Sequence, residues 1–321
     1  MNRSMKYGSA DRRHSLCAAA ILSVMLLSSC GSGSNSSPGD STLSTSQESL
    51  AVGVLGSEVN SEDLPTQIES GPGSDVLVDS GDFLPVLFET QTTLDLEYAS
   101  AGVEIVERLN ESFILPADID VVFADCGVAN AFYVPAISFN AGFTQPDGMV
   151  ISEGGAIFMC HELTELFSNF YADKDQSVST SIFVLMHEIG HALVSQLQLP
   201  VLGIEESYVD GMAAVFVGEA GLPQGSVLAG WFFGSQPNTP FFDTHRAGPQ
   251  RLGDLACWGI GADSTLLDDP TVGSISIQLM SGGRDCVAEY QQQRNGFEAV
   301  LAPYIRGDLT EIFDDTVPLS E

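Results

Sequence analysis

Positive charge is scarce in this sequence: 11 Lys and Arg stand against 43 Asp and Glu in 321 residues, a formal net charge of −32. A surface that acidic repels phosphate backbones and anionic headgroups, which makes DNA, RNA and polybasic membrane docking poor readings. Divalent cations and cationic substrates stay open. The composition resembles that of secreted proteins from salty habitats, where solvated carboxylates keep a protein soluble. The six cysteines form no CxxC or CxxxC pair, so a cysteine-built structural zinc site is a poor reading. What remains is ample: 44% hydrophobic residues, enough for one sizeable core or two small ones.

The first 29 residues are an exception to the charge. Arg3, Lys6, Arg12 and Arg13 outweigh Asp11, giving +3 and leaving −35 for residues 30–321. An apolar run of 12 residues, Leu16 to Leu27, follows, which is the length of a secretory signal core and not of an anchor. It ends Leu27-Ser28-Ser29-Cys30-Gly31, which resembles the bacterial lipobox. Cys30 is therefore expected to carry a lipid, and Gly31 in place of Asp is similar to outer-membrane sorting, on the periplasmic face of the cell envelope. Four further cysteines remain, Cys126, Cys160, Cys257 and Cys286. An even number in an oxidising compartment suggests two disulfides with three possible connectivities.

Residues 30–82 are rich in Ser and Gly, with little periodic apolar content, and read as a disordered tether. The folded domain is expected over 83–308, with an acidic tail at 309–321. FLPVLFET from Phe83, the run Ile119–Phe123, Asn130–Val134 and Ala156–Met159 read as strands, and Ala99–Asn110 as a helix. From about Asp175 the pattern is helical. Ser177–Leu197 and Glu205–Ala220 carry apolar residues at the spacing of one helix face, and Ser226–Phe233, Gln250–Trp258 and Cys286–Leu301 fit further helices. The expected class is α+β, a small N-terminal sheet and a mainly helical remainder.

Within the longest helix stands His187-Glu188-Ile189-Gly190-His191, an HExxH motif. At about 100° per residue, His191 lies only about 40° from His187 and Glu188 about 60° beyond it, so all three share one side. Two neutral imidazoles can hold Zn²⁺, and the carboxylate can reach a water in the open coordination position. A third ligand is expected on the next helix, where Glu206 and Asp210 are i,i+4 neighbours on the row continued by Ala213 and Val217. Were the helix phase one residue off, Glu205 would face inward and Glu206 would face solvent.

HExxH followed by ExxxD on the next helix resembles the glutamate-type zincins, which implies Glu206 as the third zinc ligand and Asp210 as hydrogen-bond partner of a ligating imidazole, His187. The closer resemblance is to a family of bacterial metallopeptidase-like proteins of unknown physiological role. It is carried by HEIGHALVSQLQLPVLGIEE at 187–206, ADCGVANAFY at 124–133, IFMCHEL at 157–163, DTHRAGPQRLGDLACWGIG at 243–261 and RDCVAEY at 284–290. The similarity spans about 85–305. It implies a zincin-like metallopeptidase domain, one Zn²⁺ per chain, disulfides Cys126–Cys160 and Cys257–Cys286, and His245 or Arg251 as stabiliser of an oxyanion. The chain departs from the family pattern in a longer, Gly-richer 134–156 and in Ile260 at a place expected to be aromatic. His161-Glu162-Leu163-Thr164-Glu165 is a near-miss of HExxH and reads as a helix start beside a disulfide.

Taken together, these readings imply a lipid-anchored zinc peptidase acting on a peptide or protein substrate, with Glu188 as general base. The competing reading is a non-catalytic zinc-containing envelope lipoprotein that serves as a binding or structural module. Retention of Glu188 argues against it, because a structural site needs no base there. Substrate specificity and oligomeric state are not legible in the sequence.

Overall fold

The computed structural model describes residues 79–88, 92–136, 151–201, 203–235, 248–270, 272–274 and 283–313. All of these fall in one compact unit. Four strands form one sheet in the order β1-β2-β4-β3: β1 (Phe83–Leu87), β2 (Ile119–Ala124), β3 (Ala131–Val134) and β4 (Ala156–Cys160). β1 and β4 run parallel to β2, while β3 pairs antiparallel with β4. Every residue of β2 is buried, which is why IDVVFA reads as an almost continuous apolar run and not as an alternating one. Among the described residues β3 is an edge strand.

Eight α-helices supply most of the described chain: α1 (Thr93–Ser112), α2 (His161–Phe170), α3 (Lys174–Leu197), α4 (Glu205–Glu219), α5 (Gln224–Gly234), α6 (Gly248–Ala262), α7 (Cys286–Leu301) and α8 (Leu309–Phe313). The architecture is α+β with a small sheet and a dominant helical part, as the patterning implies. α1 starts six residues before the apolar periodicity suggests. Thr92 caps it, its side chain accepting the Asp95 N–H at 3.1 Å, and Asp95 supplies the acidic first turn. The near-miss His161-Glu162-Leu163-Thr164-Glu165 opens α2 directly after Cys160.

α3 is the centre of the described domain. Asp173 caps its start, and it ends at Leu197 with Gln198 left-handed at φ 50° just before Pro200. Its apolar residues from Ile182 to Leu193 are buried with those of the sheet, α1 and α4 in one core. A helix of this length and hydropathy could cross a membrane by composition alone, but most of its apolar window is buried inside the domain.

Two disulfides tie the periphery: Cys126–Cys160 joins the loop after β2 to the end of β4, and Cys257–Cys286 joins α6 to α7, with Cα–Cα distances of 5.4 and 4.8 Å. This is the pairing the family resemblance implies. The first residues of the stretch expected as an acidic tail form α8, which buries Leu309, Ile312 and Phe313. Apolar side chains there join the core, so order runs past residue 308.

Candidate metal centre

α4 approaches α3 closely at Gly190, where an added Cβ would sit 3.0 Å from Cβ of Val209. That approach carries Glu206 and Asp210 onto the histidines of α3. The Nε2 atoms of His187 and His191 are 3.2 Å apart, and Glu206 Oε2 lies 3.2 Å from the first and 3.4 Å from the second. Two ligands on a tetrahedral ion with bonds of about 2.1 Å are separated by roughly 3.4 Å. The two imidazole nitrogens and one carboxylate oxygen therefore stand at the mutual spacing that one metal ion imposes, and these residues fit a metal.

Each imidazole is held from behind. His187 Nδ1 is 2.9 Å from Asp210 Oδ1, and His191 Nδ1 is 2.8 Å from Glu205 Oε1. A proton on each Nδ1 leaves each Nε2 lone pair for the metal. The Glu205 contact corrects the sequence reading, in which Glu205 or Glu206, but not both, meets the site. Glu206 faces the donor triangle, while Glu205, half-exposed at the start of α4, bends back to the outer nitrogen of His191. Helix phase alone does not show this, because a glutamate at the first helical position has the reach to fold along the helix end.

Glu188 is buried, and its Oε2 accepts the backbone N–H of Tyr133 at 2.9 Å. Burial pushes its pKa above the usual carboxylate value, against the lowering influence of His187, His191 and the Tyr133 N–H. In the metal-free protein, burial opposes charging His187, yet its contacts with Asp210 and Glu206 outweigh that and raise its pKa from 6.5 to about 9. His191 is raised as well, burial again opposing and Glu206 and Glu205 prevailing. Burial would raise Asp210, but the Arg251 charge and His187 hold it below the usual carboxylate value.

Arg251 is placed differently from its expected role as an oxyanion donor. It is buried on α6 and donates to both oxygens of Asp210, Nε to Oδ2 at 2.8 Å and Nη2 to Oδ1 at 2.7 Å. Two of its nitrogens are thus spent behind His187, away from the donor triangle. His245 and Cys30 lie outside the described residues, as does most of the Gly-rich stretch; Ile260 is a buried residue of α6. A second group of possible ligands, Cys126, Cys160 and Glu162, offers no thiolate, because the two sulfurs are bonded to each other. Tyr133 was beyond sequence reasoning altogether: it acts through its main chain, which no side-chain motif encodes.

No curated protein and no solved structure shows significant similarity to this chain. A family model does: the one described as "putative metallopeptidase" matches residues 90–301, from just before α1 to the end of α7, with His187, His191, Glu188, Glu206, Asp210 and all four paired cysteines inside the match. The chain belongs to this metallopeptidase family.

Proposed function

We propose that the protein is a zinc-dependent peptidase with a zincin-like active site, in which His187, His191 and Glu206 hold one Zn²⁺ and Glu188 is the general base. The observation that carries this reading is the triangle of His187 Nε2, His191 Nε2 and Glu206 Oε2 at 3.2–3.4 Å with Glu188 beside it. When bound, zinc supplies Lewis acidity that polarises a carbonyl oxygen and acidifies water.

The protein's own groups do the rest. Glu188 Oε2 is fixed by the Tyr133 N–H, which leaves Oε1 to take a proton from the attacking water and return it to the leaving amine. Burial of this carboxylate raises its basicity and so improves it as an acceptor. Because the Tyr133 N–H bonds Glu188 and not β4, the site lies along the outer edge of β3. An extended peptide laid along that edge by main-chain hydrogen bonds would run past the base, which favours a peptide or unfolded protein segment as substrate.

The cellular setting belongs to the same proposal: export by the leader 1–29, lipidation at Cys30, and attachment to the cell envelope by the tether. The short apolar run and the lipobox-like Leu27–Gly31 support it.

The deciding experiment uses the full chain, metal analysis by mass spectrometry and a denatured protein as substrate. Glu188→Gln is expected to keep one zinc per chain and lose turnover by at least about 100-fold, in line with a general base. Glu206→Gln is expected to lose the metal. Stoichiometric zinc without turnover by the wild type across broad peptide libraries would instead point to a non-catalytic envelope lipoprotein. Retention of metal by both His187→Ala and His191→Ala would sink the assignment.

A further inference from the structure

Arg251 is a buried cation on an otherwise strongly acidic molecule, and among the described residues its ion pair is with one carboxylate, Asp210. Nε and Nη2 grip the two oxygens of Asp210, and the guanidinium carbon lies 3.9 Å above the ring centroid of Phe233, the penultimate residue of α5. Asp210 Oδ1 is shared, since it faces both Arg251 Nη2 at 2.7 Å and His187 Nδ1 at 2.9 Å. The planar fork cannot follow a rotating carboxylate without losing two charge-assisted hydrogen bonds, and the ring beneath keeps the fork in its plane.

We propose that Arg251 is a positioning residue of the metal centre, locking Asp210 so that His187 presents Nε2 to the metal in one fixed orientation. The proposal rests on the reading of His187 as a metal ligand. Arg251 touches none of the donor atoms, and its effect passes through Asp210. Its place on α6 also makes a third helix part of the centre, beyond the two that bear the ligands. Among the described residues, the group behind His191 is the half-exposed Glu205, so the more firmly held arm of the centre is the one that Arg251 closes. A lysine at this position would keep the charge and lose the fork.

The test uses the full zinc-loaded chain and the rate of zinc transfer to an excess of a chromophoric chelator, with the visible spectrum of the cobalt(II)-loaded protein as a second readout. Arg251→Lys is expected to release zinc about 10 to 100-fold faster, the loss typical when the outer support of a metal ligand is removed, and to alter the cobalt bands. In the Asp210→Asn background the same substitution is expected to add less than twofold, because the link to His187 is already cut. Phe233→Leu, which leaves the ion pair intact, is expected to speed release by a smaller factor and serves if Arg251→Lys does not fold. Zinc release within twofold of wild type in the folded variants, or equal acceleration with and without Asp210→Asn, would overturn the proposal. A wild-type chain that takes up no zinc overturns the metal-site reading, and the proposal with it.

Discussion

His187 shows how a single residue of the proposed centre would couple metal binding to pH. Its contacts with Asp210 and Glu206 hold the metal-free imidazole protonated, with a pKa of about 9 in place of 6.5. Metal can bind only the deprotonated Nε2, so uptake below that pKa must expel a proton. Apparent zinc affinity is therefore expected to rise by up to about tenfold per pH unit between pH 7 and 9 and to level off above, measured by competition with a chelator of known pH dependence. The sign for stability is opposite. A raised histidine pKa stabilises the metal-free fold fully below 6.5 and loses that contribution as pH climbs through 9. Melting of the metal-free chain over the same window should fall with pH; a flat affinity profile would show that His187 is neutral in the metal-free protein. At this scale the candidate ligands were legible, because HExxH and the inward-facing Glu206 follow from helical periodicity. Glu205, Arg251 and the Tyr133 N–H were not, since each reaches the site from a place that periodicity leaves undetermined.

Between elements, the decisive contact is α3 against α4. Gly190 sits inside the motif, and its missing side chain lets Val209 come within contact distance, which carries Glu206 and Asp210 over the histidines. A larger residue there must push α4 away. Gly190→Leu is expected to cost about 1–3 kcal/mol by overpacking and also to weaken zinc binding, measured by urea unfolding of the metal-free chain and by chelator competition. Stability lost with zinc affinity unchanged would mean that α4 can tilt without moving its carboxylates. Most helices were readable from the sequence because apolar spacing and stop signals agree: Pro200 follows the end of α3, and Gly221 and Pro223 follow α4, although α3 begins at Lys174, ahead of the expected Ser177, after the Asp173 cap. The start of α1 was misplaced, because its first turn is specified by the Thr92–Asp95 cap and only weakly by apolar spacing.

For the whole molecule, the disulfides bind the outer segments to the core. Cys257–Cys286 closes a loop with a sequence separation of 29 and joins the helix of Arg251 to α7. Replacing both cysteines by serine is expected to lower stability by about 2–5 kcal/mol, the usual cost of losing a native disulfide, read from urea unfolding at fixed metal content. A loss below about 1 kcal/mol would mean that packing of α6 on α5 and α7 already restrains the loop.

The sequence by itself determined the candidate donors and the class: two histidines and a glutamate at helical spacing, an inward carboxylate one helix later, an even number of cysteines, and an α+β pattern of short strands before long helices. These are local properties, set by periodicity along one element or by residue type. Tertiary structure alone decided which nitrogen each carboxylate meets, that Glu205 and Glu206 both engage, that the edge of β3 supplies the main-chain donor for Glu188, and that Arg251 stands behind Asp210. Those contacts join residues up to 55 positions apart along the chain, as for Tyr133 and Glu188. Their distances depend on how closely α3, α4, α6 and the sheet pack, and that is a property of the assembled core.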